Sequence, residues 1–198
     1  PYMLQVYDVT EEMFEELVDE DTKAEFIDGV MIVHSPASMQ HDDLSGFIRT
    51  LMRLYADVKE VGKVLGPDSL IHLAPDRKCA PDVFFVRRER MPMPMPKEFS
   101  GVPDLIIEVL SPSNRRYDLE DKRLIYREAG VEEVWFLDAE FRRVIVDRRR
   151  ADGYVEEVVT AAKLSSMVLE GSWVNVSWLW GSPLPNALFC LDEILRGA

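Results

Sequence analysis

Apolar residues recur along this chain either as continuous runs bounded by turn residues or at helical spacing. The clearest continuous run begins at Leu105-Ile106-Ile107, is interrupted by one carboxylate, Glu108, and resumes at Val109-Leu110. Such a β-branched and leucine run predicts a buried central strand. Because an unpaired buried charge is costly, Glu108 is expected to be ion-paired, bound to a metal or located at the exposed strand end.

A helix is predicted directly after this strand, from about Asp118 to Ala129, and the glycine that follows is typical of a helix C-terminus. Asp118, Lys122 and Tyr126 recur at i, i+4 and i+8, so they share one helical face. Because this face can turn back over the strand end, Lys122 is expected to approach Glu108.

Similar patterns predict the remaining elements. Helical spacing predicts three more helices: Thr10 to Asp19 with Thr10 as N-cap, Gln40 to Val58, and Ala187 to Leu195. Apolar runs between turn residues predict these strands: Glu25 to Ile27 and Met31 to His34 around Asp28-Gly29, Val61 to Leu65 with Ser69 to Leu73 as one strand containing a turn or bulge, Ala80 to Val86, Val134 to Leu137, and Arg143 to Asp147 with Tyr154 to Val159 around Asp152-Gly153. The polar Asp76 to Lys78 reads as a connection, and Met91 to Pro96 as a surface loop.

This order of elements predicts the α/β class, with a mixed central sheet flanked by helices and an extra C-terminal hairpin. A length of 198 residues predicts one domain spanning residues 1–198. Two distant cysteines, Cys79 and Cys190, suit a reducing compartment rather than a disulfide framework. No run has the length of a membrane span and no signal-peptide pattern opens the chain, so a cytoplasmic location is expected.

A net charge of −13 excludes a generic nucleic-acid coat, so DNA binding would have to use local basic patches. Clusters of arginine occur after one strand, before the key helix and around the second hairpin: Arg87, Arg88 and Arg90; Arg115 and Arg116; Arg142, Arg143, Arg148, Arg149 and Arg150. Each cluster also fits a solvated surface that offsets nearby acids. His41, at the start of the long helix, fits a surface or capping residue better than a ligand.

Two acids occupy suggestive places in neighbouring strand candidates. Asp82 follows Pro81 at a strand start, where the missing N–H of proline is tolerated, and Glu108 interrupts the central strand. If these strands pair, the two carboxylates converge, and paired carboxylates suit Mg²⁺ and phosphodiester hydrolysis assisted by a nearby lysine. A structural ion pair of Glu108 with Arg115 or Lys122 accounts for the same residues without catalysis.

Several motifs together resemble one bacterial family. They are Ala80 to Val83, Pro103 to Ser113, Asp118, Lys122, Tyr126, Gly130-Val131, Val134-Trp135, Glu25 to Gly29, Ser35-Pro36 and His41. With them the chain resembles the Uma family of restriction-endonuclease-like proteins, within the PD-(D/E)xK nuclease superfamily, nearly throughout its length up to about Trp180. The resemblance implies a restriction-endonuclease-like core and Mg²⁺-dependent cleavage of DNA, with Mn²⁺ as a substitute ion.

The resemblance also implies roles for individual residues. Asp82 matches the first acid of the superfamily and Glu108 the second, so these two would hold the metal, and Glu25 resembles the additional N-terminal acid. Leu110 occupies the position at which the superfamily has its lysine, and Lys122 is the expected substitute. Asp104 lies four residues before Glu108, about 13 Å away in a strand, and is left outside the metal site.

Two functions therefore follow from the sequence. The first is an Mg²⁺-dependent endodeoxyribonuclease in which Asp82, Glu108, Lys122 and Glu25 carry the chemistry. The alternative is a catalytically silent protein of the same fold that serves as a protein-interaction module, which the acidic charge and Leu110 favour. A homodimer fits either function, because two half-sites suit cleavage of a duplex.

Overall fold

The computed structural model of the chain describes residues 3–19 and 22–197. The strands are β1 Met3–Val6, β2 Ala24–Ile27, β3 Val30–His34, β4 Gly62–Leu65, β5 Ile71–Ala74, β6 Arg77–Cys79, β7 Val83–Arg87, β8 Phe99–Ser100, β9 Leu105–Val109, β10 Glu133–Asp138, β11 Arg143–Arg150, β12 Gly153–Val159, β13 Lys163–Ser165 and β14 Trp173–Asn175. The α-helices are α1 Glu11–Leu17, α2 Met39–Lys59, α3 Arg123–Ala129 and α4 Ala187–Arg196. Arg88–Arg90 and Val176–Trp180 form 3-10 helices, and Tyr117–Lys122 forms a π-helical turn.

The strands form two six-stranded sheets and a separate small pair. The first sheet has the order β1-β3-β2-β6-β5-β8, and the second has the order β12-β11-β10-β9-β7-β4. In the second sheet β9 and β10 run parallel, and the chain segment that connects them contains α3. The α/β class with mixed sheets and flanking helices is therefore confirmed, while the predicted single central sheet is divided in two. The predicted C-terminal hairpin, β11–β12, forms the edge of the second sheet.

Two local predictions are wrong. Val61 to Leu65 and Ser69 to Leu73 do not form one strand, because β4 pairs with β7 in the second sheet whereas β5 belongs to the first. The intervening Gly66-Pro67-Asp68 carries the chain from one sheet to the other, since proline lacks the N–H that a continuous ladder requires. Asp76 to Lys78 is not merely a connection either, because β6 begins at Arg77.

The sequence predicted a connection at β6 because the run Asp76 to Lys78 is polar. Lys78 is nevertheless only 2% exposed, and its ammonium reaches three glutamates on other segments: Glu11 at 3.1 Å, Glu15 at 2.6 Å and Glu98 at 3.5 Å. A buried lysine is tolerated when carboxylates replace its lost hydration. These partners lie far along the chain, so local hydropathy did not reveal the strand.

Helix α2 covers one face of the second sheet. Its residues Leu44, Ile48, Leu51 and Tyr55 belong to a core that also includes Ile107 of β9. Side chains alternate across a strand, so Ile106, the neighbour of Ile107, packs on the opposite face in a second core. Glu108 lies on the same side of β9 as Ile106, where α3 packs, and it contacts Lys122 and Tyr126 there. Within the described residues, no helix is long and apolar enough to cross a membrane.

Helix α3 is tied to the second sheet by one buried carboxylate. Asp147 of β11 accepts hydrogen bonds at 2.6–2.7 Å from the guanidinium groups of both Arg123 and Arg127. Burial alone would raise the pKa of Asp147, but the bonds from the two arginines outweigh it, so the pKa lies below its ordinary value. These ion pairs hold α3, which begins directly after Lys122, against strand β11.

Replacing Asp147 with asparagine is expected to destabilise the fold by about 2 kcal/mol, because charge-assisted hydrogen bonds are lost. The folded-state pKa is depressed, so this stabilisation is complete above the ordinary aspartate pKa of about 3.9 and is lost as the pH falls through the lower folded value. Urea unfolding of Asp147→Asn and of the unmodified chain is measured between pH 7 and pH 3. The free energy of unfolding should fall less steeply toward acid pH in Asp147→Asn. If the free energy of unfolding depended on pH in the same way in both proteins, Asp147 would not stabilise the fold through Arg123 and Arg127.

Candidate active site

Strand pairing brings Asp82 and Glu108 together. β7 and β9 are antiparallel with Val83 opposite Ile107, which places the preceding Asp82 beside Glu108. Asp82 Oδ2 accepts a hydrogen bond of 2.9 Å from the Val109 amide, and the Asp82 amide donates to Glu108 Oε2 at 3.3 Å. The side chains are buried, with Asp82 5% and Glu108 3% exposed.

Glu25 reaches the same place from the first sheet. It lies on β2 and is fully buried. Its Oε1 accepts from the Ala80 amide at 2.9 Å and lies 3.1 Å from Lys122 Nζ. Its Oε2 lies 2.8 Å from His34 Nε2 and accepts from the Tyr117 hydroxyl at 3.2 Å. The candidate site is therefore at the junction of the two sheets.

Lys122 comes from the π-helical turn that precedes α3. Its Nζ lies 2.6 Å from Glu108 Oε1, and the Tyr126 hydroxyl donates to the same oxygen at 2.6 Å. In the turn, the Arg123 amide bonds to the Asp118 carbonyl, five residues back instead of four. Tyr117, five residues before Lys122, lies in the same turn and reaches Glu25. The regular helix predicted over 118–129 is therefore wrong in its first turn, which is π-helical. Such turns occur frequently at functional sites.

A histidine and a lysine border the site on the Asp82 side. His41 Nε2 lies 3.2 Å from Asp82 Oδ2, and Lys23 Nζ lies 3.6 Å from Asp82 Oδ1. The expectation that His41 is a surface or capping residue is wrong, since Ser38 caps α2 and the imidazole faces a buried carboxylate.

The buried carboxylates differ in their pKa because their partners differ. Burial alone would raise the pKa of Asp82, but His41 and Lys23 lower it to about 2. Burial likewise opposes ionisation of Glu25, but Lys122 and His34 outweigh it and its pKa is lowered. For Glu108, burial dominates over Lys122 and the pKa is raised. Burial also raises the pKa of Asp118 well above its usual range.

The site therefore carries an excess of buried negative charge. The four buried acids Glu25, Asp82, Glu108 and Asp118 share one buried ammonium, that of Lys122. The pKa of Lys122 is raised: burial opposes its charge, but Glu108 and Glu25 outweigh burial. Repulsion among the carboxylates contributes to the raised pKa of Glu108 and Asp118. Such an arrangement would be stabilised by a further cation.

The donor set fits a hard divalent cation. Within residues 3–19 and 22–197, no three histidine, cysteine, aspartate or glutamate side chains are already grouped as a metal site. Asp82 Oδ1 nevertheless has Lys23 only at 3.6 Å, and Glu108 Oε2 accepts only a long bond of 3.3 Å. Each carboxylate thus keeps an oxygen with no short hydrogen bond among the described contacts, and Mg²⁺ typically takes one or two such ligands.

The other positions singled out in the sequence lie elsewhere. Leu110 is buried in the apolar core near α3. Asp104 is fully buried and pairs with Arg87 and Arg90, each at 2.6 Å, outside the acidic cluster.

Most arginines of the three clusters are paired with acids, which agrees with the alternative that each cluster is a solvated surface offset by nearby acids. Ion pairs join several of their members to acids: Arg87 to Asp104 and Glu132, Arg115 and Arg143 to Asp138, Arg116 to Glu120, and Arg148 to Glu133 and Glu157.

Sequence reasoning missed His34, Tyr117 and Lys23 as neighbours of the acids. A signal for His34 existed in the Asp28-Gly29 hairpin, because Glu25 pairs with Ile32 and His34 follows two residues later on the same strand face. Tyr117 has no such signal, since its position depends on the π-helical turn.

The chain matches the model of the Uma2 family, described as "Putative restriction endonuclease", over residues 11–177. Among solved structures, it resembles one titled as a "putative nuclease belonging to DUF820" from Anabaena variabilis ATCC 29413. That likeness has a TM-score of 0.77 at 18% identity and covers 87% of this chain and 97% of the other. A search of curated proteins finds no match to the chain.

Proposed function

Because this chain belongs to the Uma2 family of restriction-endonuclease-like proteins, we propose that it is an Mg²⁺-dependent endonuclease that hydrolyses phosphodiester bonds of DNA. The observation that carries the proposal is the convergence of Asp82, Glu108, Glu25 and Lys122 at the junction of the two sheets. Fold alone does not specify chemistry, but buried acids around one lysine are costly to maintain and suit charge stabilisation.

Asp82 and Glu108 would hold the ion, with Mn²⁺ as a substitute. When bound, the ion would supply Lewis acidity at a phosphoryl oxygen. In the proposed reaction, water attacks phosphorus, one P–O ester bond breaks, and the leaving oxygen acquires a proton.

Lys122 would act as a donor rather than as a base. Its Nζ lies between Glu108 at 2.6 Å and Glu25 at 3.1 Å, and these two acids favour its charged form. An ammonium fixed in this way can stabilise the negative charge that develops on the phosphoryl group. Glu25 would position Lys122, while its own oxygens are held by Ala80, His34 and Tyr117.

DNA would reach the site from the Asp82 side. A cavity of about 660 Å³ is lined there by Lys23, the neighbour of Asp82, and by Ala80, Lys78 and Lys97, although Glu15, Asp19, Asp68 and Glu98 also line it. With most of the clustered arginines paired and a net charge of −13, nonspecific affinity for DNA should be weak. A homodimer would add a second site for the other strand. We place the reaction in the cytoplasm, where the free thiols of Cys79 and Cys190 would stay reduced.

The test is a cleavage assay of the purified chain on supercoiled, linear duplex and single-stranded DNA at low salt. We expect cleavage in the presence of Mg²⁺ or Mn²⁺. A chelator should abolish this cleavage, and added Mg²⁺ should restore it. Absence of cleavage on every substrate, combined with absence of divalent-ion binding by calorimetry, would overturn the proposal in favour of the catalytically silent interaction module.

A further inference from the structure

We propose that His41 is a third protein ligand of the divalent ion, so that the site binds Mn²⁺ more tightly than Mg²⁺; this inference rests on the metal-dependent function proposed above. His41 approaches Asp82 from α2, an element that contributes neither of the two carboxylate ligands. The ion would then be held by an aspartate, a glutamate and an imidazole.

The spacing of the donor atoms fits a shared ion. His41 Nε2 and Asp82 Oδ2 are 3.2 Å apart. Two ligand atoms at right angles around one ion, each at about 2.1 Å, are separated by about 3 Å. Asp82 Oδ2 also accepts from the Val109 amide at 2.9 Å, so the imidazole and the remaining lone pair of this oxygen can both bind one ion with little movement.

The imidazole would not compete with Lys122 for the ion. Lys122 Nζ contacts Glu108 Oε1 and Glu25 Oε1, whereas His41 contacts Asp82. The ammonium and the imidazole thus occupy different sides of the acidic cluster, and both can stay in place.

The backbone of His41 is held in position, whereas its imidazole ring makes few contacts. It lies in the first turn of the 21-residue helix α2, where the Ser38 cap accepts from its backbone amide at 3.2 Å. Its ring Nδ1 is buried without a hydrogen-bond partner among the described residues. Binding an ion would therefore replace one contact of the ring, to Asp82, and would not disrupt a larger network.

His34 makes the informative contrast. Its Nε2 lies 2.8 Å from Glu25, whose two oxygens already meet Ala80, Lys122 and Tyr117. That carboxylate has little remaining capacity for an ion, so His34 serves to hold Glu25. Among the histidines of the described residues that contact an acid of the site, His34 contacts Glu25, whereas His41 contacts Asp82, whose Oδ1 has Lys23 only at 3.6 Å.

An imidazole ligand changes which ion is preferred. Mg²⁺ favours oxygen ligands and retains its waters, whereas first-row transition ions accept imidazole readily. His41→Gln should therefore weaken Mn²⁺ binding by about 10-fold or more, while Mg²⁺ binding changes much less. His72→Gln is the control, since His72 lies on β5 beside Glu11 and contacts none of the four acids of the site.

The experiment is pulsed electron paramagnetic resonance of Mn²⁺ bound to the intact chain, which detects nitrogen atoms coordinated to the ion without requiring turnover. Protein grown with ring-labelled histidine separates an imidazole signal from that of Lys122. The expected result is a histidine nitrogen signal that His41→Gln removes and His72→Gln preserves. Asp82→Asn locates the ion and should greatly weaken binding, and thermal melting of each variant confirms folding.

Two results would overturn the inference, and they have different meanings. Mn²⁺ that binds without a histidine signal, or with a signal that survives His41→Gln, would remove His41 from the ligand set and leave the proposed nuclease standing. Absence of Mn²⁺ binding at millimolar concentration, or binding unaffected by Asp82→Asn, would overturn both the ligand assignment and the proposed metal site.

Discussion

Replacing Glu108 with glutamine, or Asp82 with asparagine, is expected to lower divalent-dependent DNA cleavage by about a thousand-fold or more, because each change removes a charged ligand while preserving shape. Glu108→Gln should leave the fold as stable as before or more stable. The glutamine oxygen can still accept from Lys122 and Tyr126, and one charge leaves an overcrowded acidic cluster. Cleavage rates at saturating Mg²⁺ and urea unfolding measure the two effects separately.

Glu133→Gln is the matched control for Glu108→Gln. Glu133 is also a fully buried strand glutamate with a basic partner, Arg148 at 3.0 Å, and it lies on the neighbouring parallel strand β10. Its replacement should cost stability, since the Arg148, Ser166 and Met167 contacts weaken, but should leave specific cleavage unchanged. Equal loss of activity in both variants would mean that any buried acid of this sheet matters, and the assignment of Glu108 would fail.

Replacing Lys122 with methionine is expected to lower turnover by about 100-fold to 1000-fold while Mn²⁺ binding persists. Its effect on stability should be opposite to that of Glu108→Gln. Without the ammonium, Glu108 and Glu25 remain buried and lose their shared lysine partner, a loss that costs about 3–5 kcal/mol. A divalent ion should recover part of this loss, so urea unfolding is measured with and without Mn²⁺. Turnover equal to that of the unmodified chain would remove Lys122 from the mechanism.

Lys78→Met provides the control for Lys122→Met. Lys78 is another buried lysine, 2% exposed, and it is surrounded by three glutamates outside the site. Those glutamates are partly solvent-exposed and can regain water, so the loss of stability should be smaller and Mn²⁺ should not restore it. A turnover loss equal to that of Lys122→Met would indicate that both lysines act through stability alone.

The sequence predicted the central features of the site because they depend on neighbouring strands. Glu108 interrupts an apolar run, Asp82 immediately precedes the adjacent strand, and the antiparallel pairing of β7 with β9 brings them together. The approach of Lys122 followed from helical spacing, although the structure replaces the first turn by a π-helical one. Their roles in catalysis remain predictions until the variants are measured.

The features that sequence analysis missed depend on contacts between distant segments. Lys78 is in a strand because glutamates from α1 and from the segment before β8 stabilise its charge. His41 resembled a surface residue because nothing within α2 indicates that Asp82 lies against it. The division into two sheets depends on one short segment, Gly66-Pro67-Asp68, whose turn residues do not specify where the chain goes next.

The junction of the two sheets also determines when the candidate site comes into existence during folding. Glu25 belongs to the first sheet, Glu108 belongs to the second, Asp82 immediately precedes β7 of the second, and Lys122 follows all three in the chain. During synthesis, no nascent chain that ends before Lys122 can contain the complete set, and a hairpin or a single folded sheet lacks at least one member. A chain that is truncated before Lys122, or whose two sheets fail to meet, would therefore lack the complete candidate site.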